Sequence, residues 1–214
     1  MVQNKEYGST LRLVEDRKQE LVGDKYKKSC FIKDDKTGET LVECDLYQHA
    51  IYSELPVTDN RKQIWKIKPN RKIMPLRWFV YSPAGDKVFE IRYPNFFCMM
   101  NPFSRSYFRL TDLQSNRKLK FIDLESGFFD RLFGGTALVW SITENKEVIA
   151  NVSYLAREDE EEKPKKKGFF ARLKNWFRGS DWSLQSYSSE PVLSAPAFLA
   201  LSLVYREASS SQVE

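Results

Sequence analysis

The chain has 214 residues, 42% hydrophobic and 14% aromatic, with 34 Lys+Arg against 29 Asp+Glu and a formal net charge of +5. That is enough apolar material for one sizeable packed domain, which excludes global disorder, and 29% charged residues exclude a bundle of membrane-spanning helices. The net charge is too mild to name a polyanionic partner, so what matters is where the cations sit.

Residues 1–10 are polar and charged, without the apolar stretch of a secretion signal, and are expected to be a flexible lead-in. Valine at position 2 leaves no N-myristoylation site, and residues 211–214 form no prenylation box. The chain then repeats one pattern, a β-rich run, a polar turn and a second β-rich run, which signals hairpins. The first joins residues 11–14 to 20–22, and the second joins 29–33 to 40–46 across a turn at 34–38. The third joins 51–57 to 63–67, and the fourth joins 77–81 to 87–93 across Ser82-Pro83-Ala84-Gly85-Asp86. The fifth joins 107–111 to 118–122, and the sixth joins 137–143 to 147–154. Six hairpins make twelve strands, and a sheet of that size must close or split to hide its edges.

The end of the chain is of another kind. Residues 191–205 are apolar on every side, with Ser194 placed to cap, Pro196 in the first turn and Arg206 in the last. A helix without a polar face must be buried all round. It is short and serine-interrupted for a membrane span, which needs about 20 apolar residues. The expected architecture is therefore mainly β: a twelve-stranded antiparallel barrel of six hairpins closed around a hydrophobic C-terminal helix at 192–206. One domain would span 11–207, with a charged and amphipathic insertion at 157–180 and a flexible tail at 208–214.

The order of these elements resembles the Tubby C-terminal-like superfamily, which includes Tubby proteins, phospholipid scramblases and LURP-one-related proteins. The carrying stretches are Leu55-Pro56-Val57-Thr58-Asp59 with Ile64-Trp65-Lys66-Ile67, and Trp78-Phe79-Val80-Tyr81 with Gly85-Asp86-Lys87-Val88-Phe89-Glu90-Ile91. Asp181-Trp182-Ser183-Leu184, leading into the apolar helix, is similar to the family's final strand. The chain carries no Tubby signature peptide and no proline-rich scramblase N-terminus. The resemblance implies a barrel closed around a helix, working at membranes or binding phosphoinositides.

Little in the sequence points to catalysis. The lone His49 has no nucleophile elbow to serve and is expected to be a strand residue beside Tyr47. No P-loop or dinucleotide-binding glycine pattern is present, and the scattered Cys and His lack metal-ligand spacing. Cys30, Cys44 and Cys98 form no close pair along the chain and leave one over in any disulfide scheme, so reduced, buried thiols in a cytoplasmic protein are expected. No enzyme, cofactor or metal site is expected.

Two basic segments stand out, and outside them acidic residues outnumber basic ones. Residues 61–77 contain Arg61, Lys62, Lys66, Lys68, Arg71, Lys72 and Arg77 with no acid among them. Arg61, Lys66, Lys68, Arg71 and Lys72 are candidate ligands of a phosphorylated headgroup through charge-assisted hydrogen bonds; the alternative is a solvated loop and strand face. The second segment follows the acidic run 158–162. It carries Lys165, Lys166, Lys167 and Arg172 as candidate headgroup ligands, and Phe169, Phe170, Leu173, Trp176 and Phe177 at i, i+1, i+4, i+7 and i+8 on one helical face. Basic on one side and aromatic on the other describes a helix lying in a membrane interface. The same face would equally close an open barrel end or dock in a partner's groove.

The expected function is thus non-enzymatic, peripheral association of a cytoplasmic protein with anionic phospholipid or phosphoinositide surfaces. Alternatives are a protein-interaction scaffold using the amphipathic helix, or scramblase-like activity. Nucleic acid is the lesser use of the basic patches, since no nucleic-acid-binding module is recognisable.

Overall fold

A computed structural model of the chain describes residues 8–16, 20–22, 25–47, 50–72, 75–93, 107–124, 139–155 and 181–210. Through these residues run β1 (Ser9–Glu15), β2 (Glu20–Val22), β3 (Lys25–Asp34), β4 (Thr40–Tyr47), β5 (Leu55–Asp59), β6 (Ile64–Pro69) and β7 (Arg77–Tyr81). They continue with β8 (Lys87–Arg92), β9 (Tyr107–Asp112), β10 (Arg117–Ile122), β11 (Val139–Glu144), β12 (Glu147–Leu155), β13 (Asp181–Ser186) and the helix α1 (Ala195–Ser210). A 3-10 turn at Ala50–Tyr52 takes the place of the start of the expected 51–57 strand.

The strands form one antiparallel sheet in which β3 to β13 follow sequence order, and β1 closes the ring. One edge of β1 lies on β13, with Leu11 opposite Leu184, and the other on β3, with Leu13 opposite Ile32. The result is a closed twelve-stave barrel holding one C-terminal helix. Hairpins two to six form as expected, from β3–β4 to β11–β12. The first pair behaves differently: β1 and β2 do not face each other but succeed one another along the same edge of β3. Together they make one stave, and β13 supplies the twelfth. The reason is edge satisfaction. A hairpin on the three-residue β2 would offer β1 few partners, whereas between β3 and β13 both of its edges are paired.

Alternation sets which side chains face inward. Leu11 and Leu13 on β1, Trp78 and Val80 on β7, Phe108 and Leu110 on β9, and Leu119 and Phe121 on β10 are all buried. The tight turns also follow local chemistry. β11 and β12 meet through Asn145 (φ 50°) and Lys146 (φ 74°), both left-handed as a two-residue hairpin loop requires.

From residue 197 to 205 no side chain of α1 is more than 6% exposed, so the helix fills the barrel. Its first turn forms as the sequence suggests: the Phe198 amide donates to the Ser194 carbonyl at 2.9 Å, and Pro196 occupies a position that needs no donor. The Ser202 hydroxyl donates back to the Phe198 carbonyl at 2.9 Å, which satisfies a buried polar atom within the helix itself. Near the helix end Tyr205 is ringed by Trp140, Trp182, Phe121 and Phe108, with centroids 4.9, 5.5, 5.6 and 6.1 Å away. Among the described residues no helix is long and apolar enough to cross a membrane.

The helix runs past the expected end at 206 to Ser210, so Arg206 does not stand in the last turn. It reaches Glu15 on β1, which also takes Lys28 from β3. The Glu15 side chain is 1% exposed. Burial opposes its ionisation, but the charges of Arg206 and Lys28 and their hydrogen bonds outweigh it and hold the carboxyl below its ordinary value. Beside this triad Cys30 stands directly opposite Cys44. Both are free and buried, and the Cys30 thiol is pushed well up by its contact with Cys44 and by burial. Register brings together two thiols that chain spacing keeps apart; Cys98 lies outside the described residues.

Candidate anion-binding face

Because the strands alternate in direction, their ends fall into two sets. Tight turns at 60–63, 82–86, 113–116 and 145–146 share one end of the barrel. The strand ends at Tyr47 and Leu55, Pro69 and Arg77, Arg92 and Tyr107, Ile122 and Val139, and Leu155 and Asp181 share the other, where the longer connections attach.

This geometry separates the cations of 61–77. Arg61 sits in the β5–β6 turn at the tight-turn end, whereas Arg71 and Lys72 follow β6 at the opposite end. The six residues of β6 put roughly 20 Å between them. Lys66 and Lys68 lie between, on the outer face of β6, and both clamp Glu54 at 2.9 and 2.7 Å. The hydrogen bonds from Lys68 and then Lys66 hold the Glu54 carboxyl below its ordinary value. The acid-free window thus acquires a carboxylate from outside it, and its five candidates do not meet at one point.

What the barrel does assemble is a row across four strands. Arg77 on β7 is opposite Arg92 on β8, Arg92 is opposite Arg109 on β9, and Arg109 is opposite Lys120 on β10. Their chain neighbours Trp78, Ile91, Phe108 and Phe121 point into the core, so by alternation all four cations point outward. Three interstrand spacings span about 15 Å. Lys118 stands two residues from Lys120 on the same face of β10, and Lys87 lies on the outer side of β8.

Aromatic rings are set among these charges. Lys120 and Arg109 lie 4.8 and 5.8 Å from the Tyr107 ring centre, Lys87 lies 4.4 Å from Phe79, and Lys68 lies 5.3 Å from Tyr81. Cation–π contacts of this kind hold a charge in place without neutralising it. Carboxylates are scarce: Arg77 has Glu90 at 3.6 Å, but among the described residues Arg92, Arg109, Lys118 and Lys120 have none within ion-pair distance. Like charges placed directly opposite destabilise a sheet, so this row is a standing electrostatic cost that an anionic ligand would relieve.

No sequence signal marks the row, because its members are spread from residue 77 to 120 and only strand register joins them. Lys165, Lys166, Lys167, Arg172, Phe169, Phe170, Leu173, Trp176, Phe177 and His49 lie outside the described residues. The flanking residues of the 163–178 segment, Leu155 and Asp181, are at the longer-connection end, shared by Arg77, Arg92, Tyr107 and Lys120. Among the described residues no cluster of His, Cys, Asp or Glu could hold a metal ion. No family model, no curated protein and no solved structure matches the chain.

Proposed function

We propose that this barrel binds anionic phospholipid surfaces peripherally, phosphoinositides among them, without catalysing a reaction, and that the β7–β10 cation row takes the phosphorylated headgroups. The observation that carries this is the row Arg77, Arg92, Arg109 and Lys120, whose members stand side by side and face outward. Near an anionic surface each such cation contributes about 1 kcal/mol, so four together would give firm but salt-sensitive attachment. The basic and aromatic pattern of 163–178 in the sequence is a second feature suited to an anionic membrane surface. A barrel filled by its C-terminal helix also accords with the Tubby-like resemblance. Scrambling is less well supported: it needs α1 in the bilayer, and residues 197–205 are packed inside the strands.

Co-sedimentation with vesicles tests the proposal. Phosphatidylcholine vesicles should leave the protein in solution, and those with phosphatidylserine or a phosphoinositide should pellet it at about 0.1 M salt and release it as the Debye length shrinks. Failure to pellet with anionic vesicles at modest salt would contradict it.

A further inference from the structure

Among the described residues five large apolar side chains are exposed: Tyr47, Ile64, Leu76, Leu113 and Leu124. Ile64 and Leu113 stand at the tight-turn end, where each turn has a carboxylate in it or beside it: Asp59, Asp86, Asp112 or Glu144. The other three stand at the longer-connection end. Two of these, Leu76 and Leu124, belong to the outer staves of the cation row. Leu76 immediately precedes Arg77 on β7, and Leu124 follows β10, four residues past Lys120. Each therefore lies nearer the end of the barrel than the cation of its own stave, and the row runs between them.

Leu76 is 49% exposed although its backbone is fixed on both sides. Its amide donates to the Asn70 side-chain oxygen at 3.1 Å, and its carbonyl accepts from the Tyr93 amide at 2.9 Å. The Arg77 amide donates to the same Asn70 oxygen at 3.2 Å, so one side chain holds the leucine and the first cation of the row in place together. Leu124 is 37% exposed and directly follows Asp123, which is buried. An apolar side chain presented on a fixed backbone has little ordering left to undergo when a ligand covers it.

We infer, resting on the headgroup role proposed for the row, that Leu76 and Leu124 are the bilayer-entering anchors of this barrel and that its longer-connection end faces the membrane. Apolar side chains outermost and cations just behind them reproduce the layering of a bilayer surface, where the acyl boundary lies beneath the phosphates. Side chains that lie in this interface reach about 5–10 Å into it. The opposite orientation would press Asp59, Asp86, Asp112 and Glu144 toward lipid phosphates of the same sign. Ile64 and Leu113, exposed beside those turns, stay in water.

The probe is a vesicle of mixed phosphatidylcholine and phosphatidylserine, titrated with the full chain. Leu76→Gln combined with Leu124→Gln changes no charge and replaces side chains that are already exposed. Affinity should fall about tenfold with the thermal midpoint unchanged, and the remaining binding should be lost at lower salt than in wild type. Ile64→Gln combined with Leu113→Gln, the same change at the other end, should bind like wild type. Depth is read with Leu76→Trp and Ile64→Trp in vesicles whose acyl chains are brominated: fluorescence in excess of wild type should be quenched for Leu76→Trp and not for Ile64→Trp. Wild-type affinity in Leu76→Gln/Leu124→Gln, an equal loss in Ile64→Gln/Leu113→Gln, or quenching of Ile64→Trp in place of Leu76→Trp would overturn the inference while leaving the headgroup role standing. A wild-type chain that ignores these vesicles at modest salt would overturn both.

Discussion

Cations stand in two opposite settings in this barrel. Inside, Arg206 and Lys28 converge on one buried carboxylate, Glu15, and tie the C-terminal half of the central helix to β1 and β3. Outside, Arg77, Arg92, Arg109 and Lys120 stand shoulder to shoulder, and only Arg77 has a carboxylate nearby among the described residues. The interior charges are matched because an unmatched one in that environment would cost several kcal/mol. The exterior charges tolerate the mismatch because water screens them, and they keep a positive potential available to a ligand. The first group therefore belongs to stability, whereas the second is the one the proposed function assigns to binding, and each assignment can be broken separately.

The largest effect is expected inside. Glu15→Gln leaves Arg206 and Lys28 without their counter-charge and should lower stability by about 3–5 kcal/mol, read as a drop in the thermal or denaturant midpoint. The pH dependence has a defined sign. The folded carboxyl is held below its ordinary value, so its stabilisation is fully present above the ordinary carboxylate range and is lost as pH falls through the lowered value. Wild type should therefore lose stability on acidification, and Glu15→Gln should lose less over the same range. Cys30, buried and opposite Cys44, should resist alkylation in the folded wild type and react faster in Glu15→Gln.

Outside, effects should appear in binding and spare the fold. Tyr107→Ala removes the ring that holds Arg109 and Lys120 and should weaken attachment to anionic vesicles by about 1 kcal/mol, roughly fivefold, in a co-sedimentation titration. Glu54→Gln should do the reverse on a smaller scale. Freed from their carboxylate, Lys66 and Lys68 should raise vesicle affinity about twofold, with the melting midpoint essentially unchanged, as for an exposed pair.

Much of the scaffold is legible in the sequence because alternation and all-round apolarity are local signals. Trp78 and Val80, or Leu119 and Phe121, show a strand face two residues at a time, and the helix announces burial by having no polar side. Pairing is less legible. A period of two says which way a side chain points but not which strand lies beside it, which is why β1 and β2 look like a hairpin and instead share a stave. The same limit governs the sites. Lys66 and Lys68 are visible as a basic run, whereas Arg77, Arg92, Arg109 and Lys120 become neighbours only through register. Cys30 and Cys44, and the Glu54 clamp on Lys66 and Lys68, are products of pairing and of a chain reversal that no spacing rule encodes.

The most direct measurement is a side-by-side titration of wild type and the Arg92→Gln/Arg109→Gln variant with phosphatidylserine- and phosphoinositide-containing vesicles, alongside their thermal melts. Removing two cations should weaken binding by about 2 kcal/mol, roughly thirtyfold, and flatten its salt dependence, with the melting midpoint unchanged or slightly raised as like-charge repulsion is relieved. Wild-type affinity in that double variant, with the same salt dependence, would contradict the assignment of the outer row to anion binding.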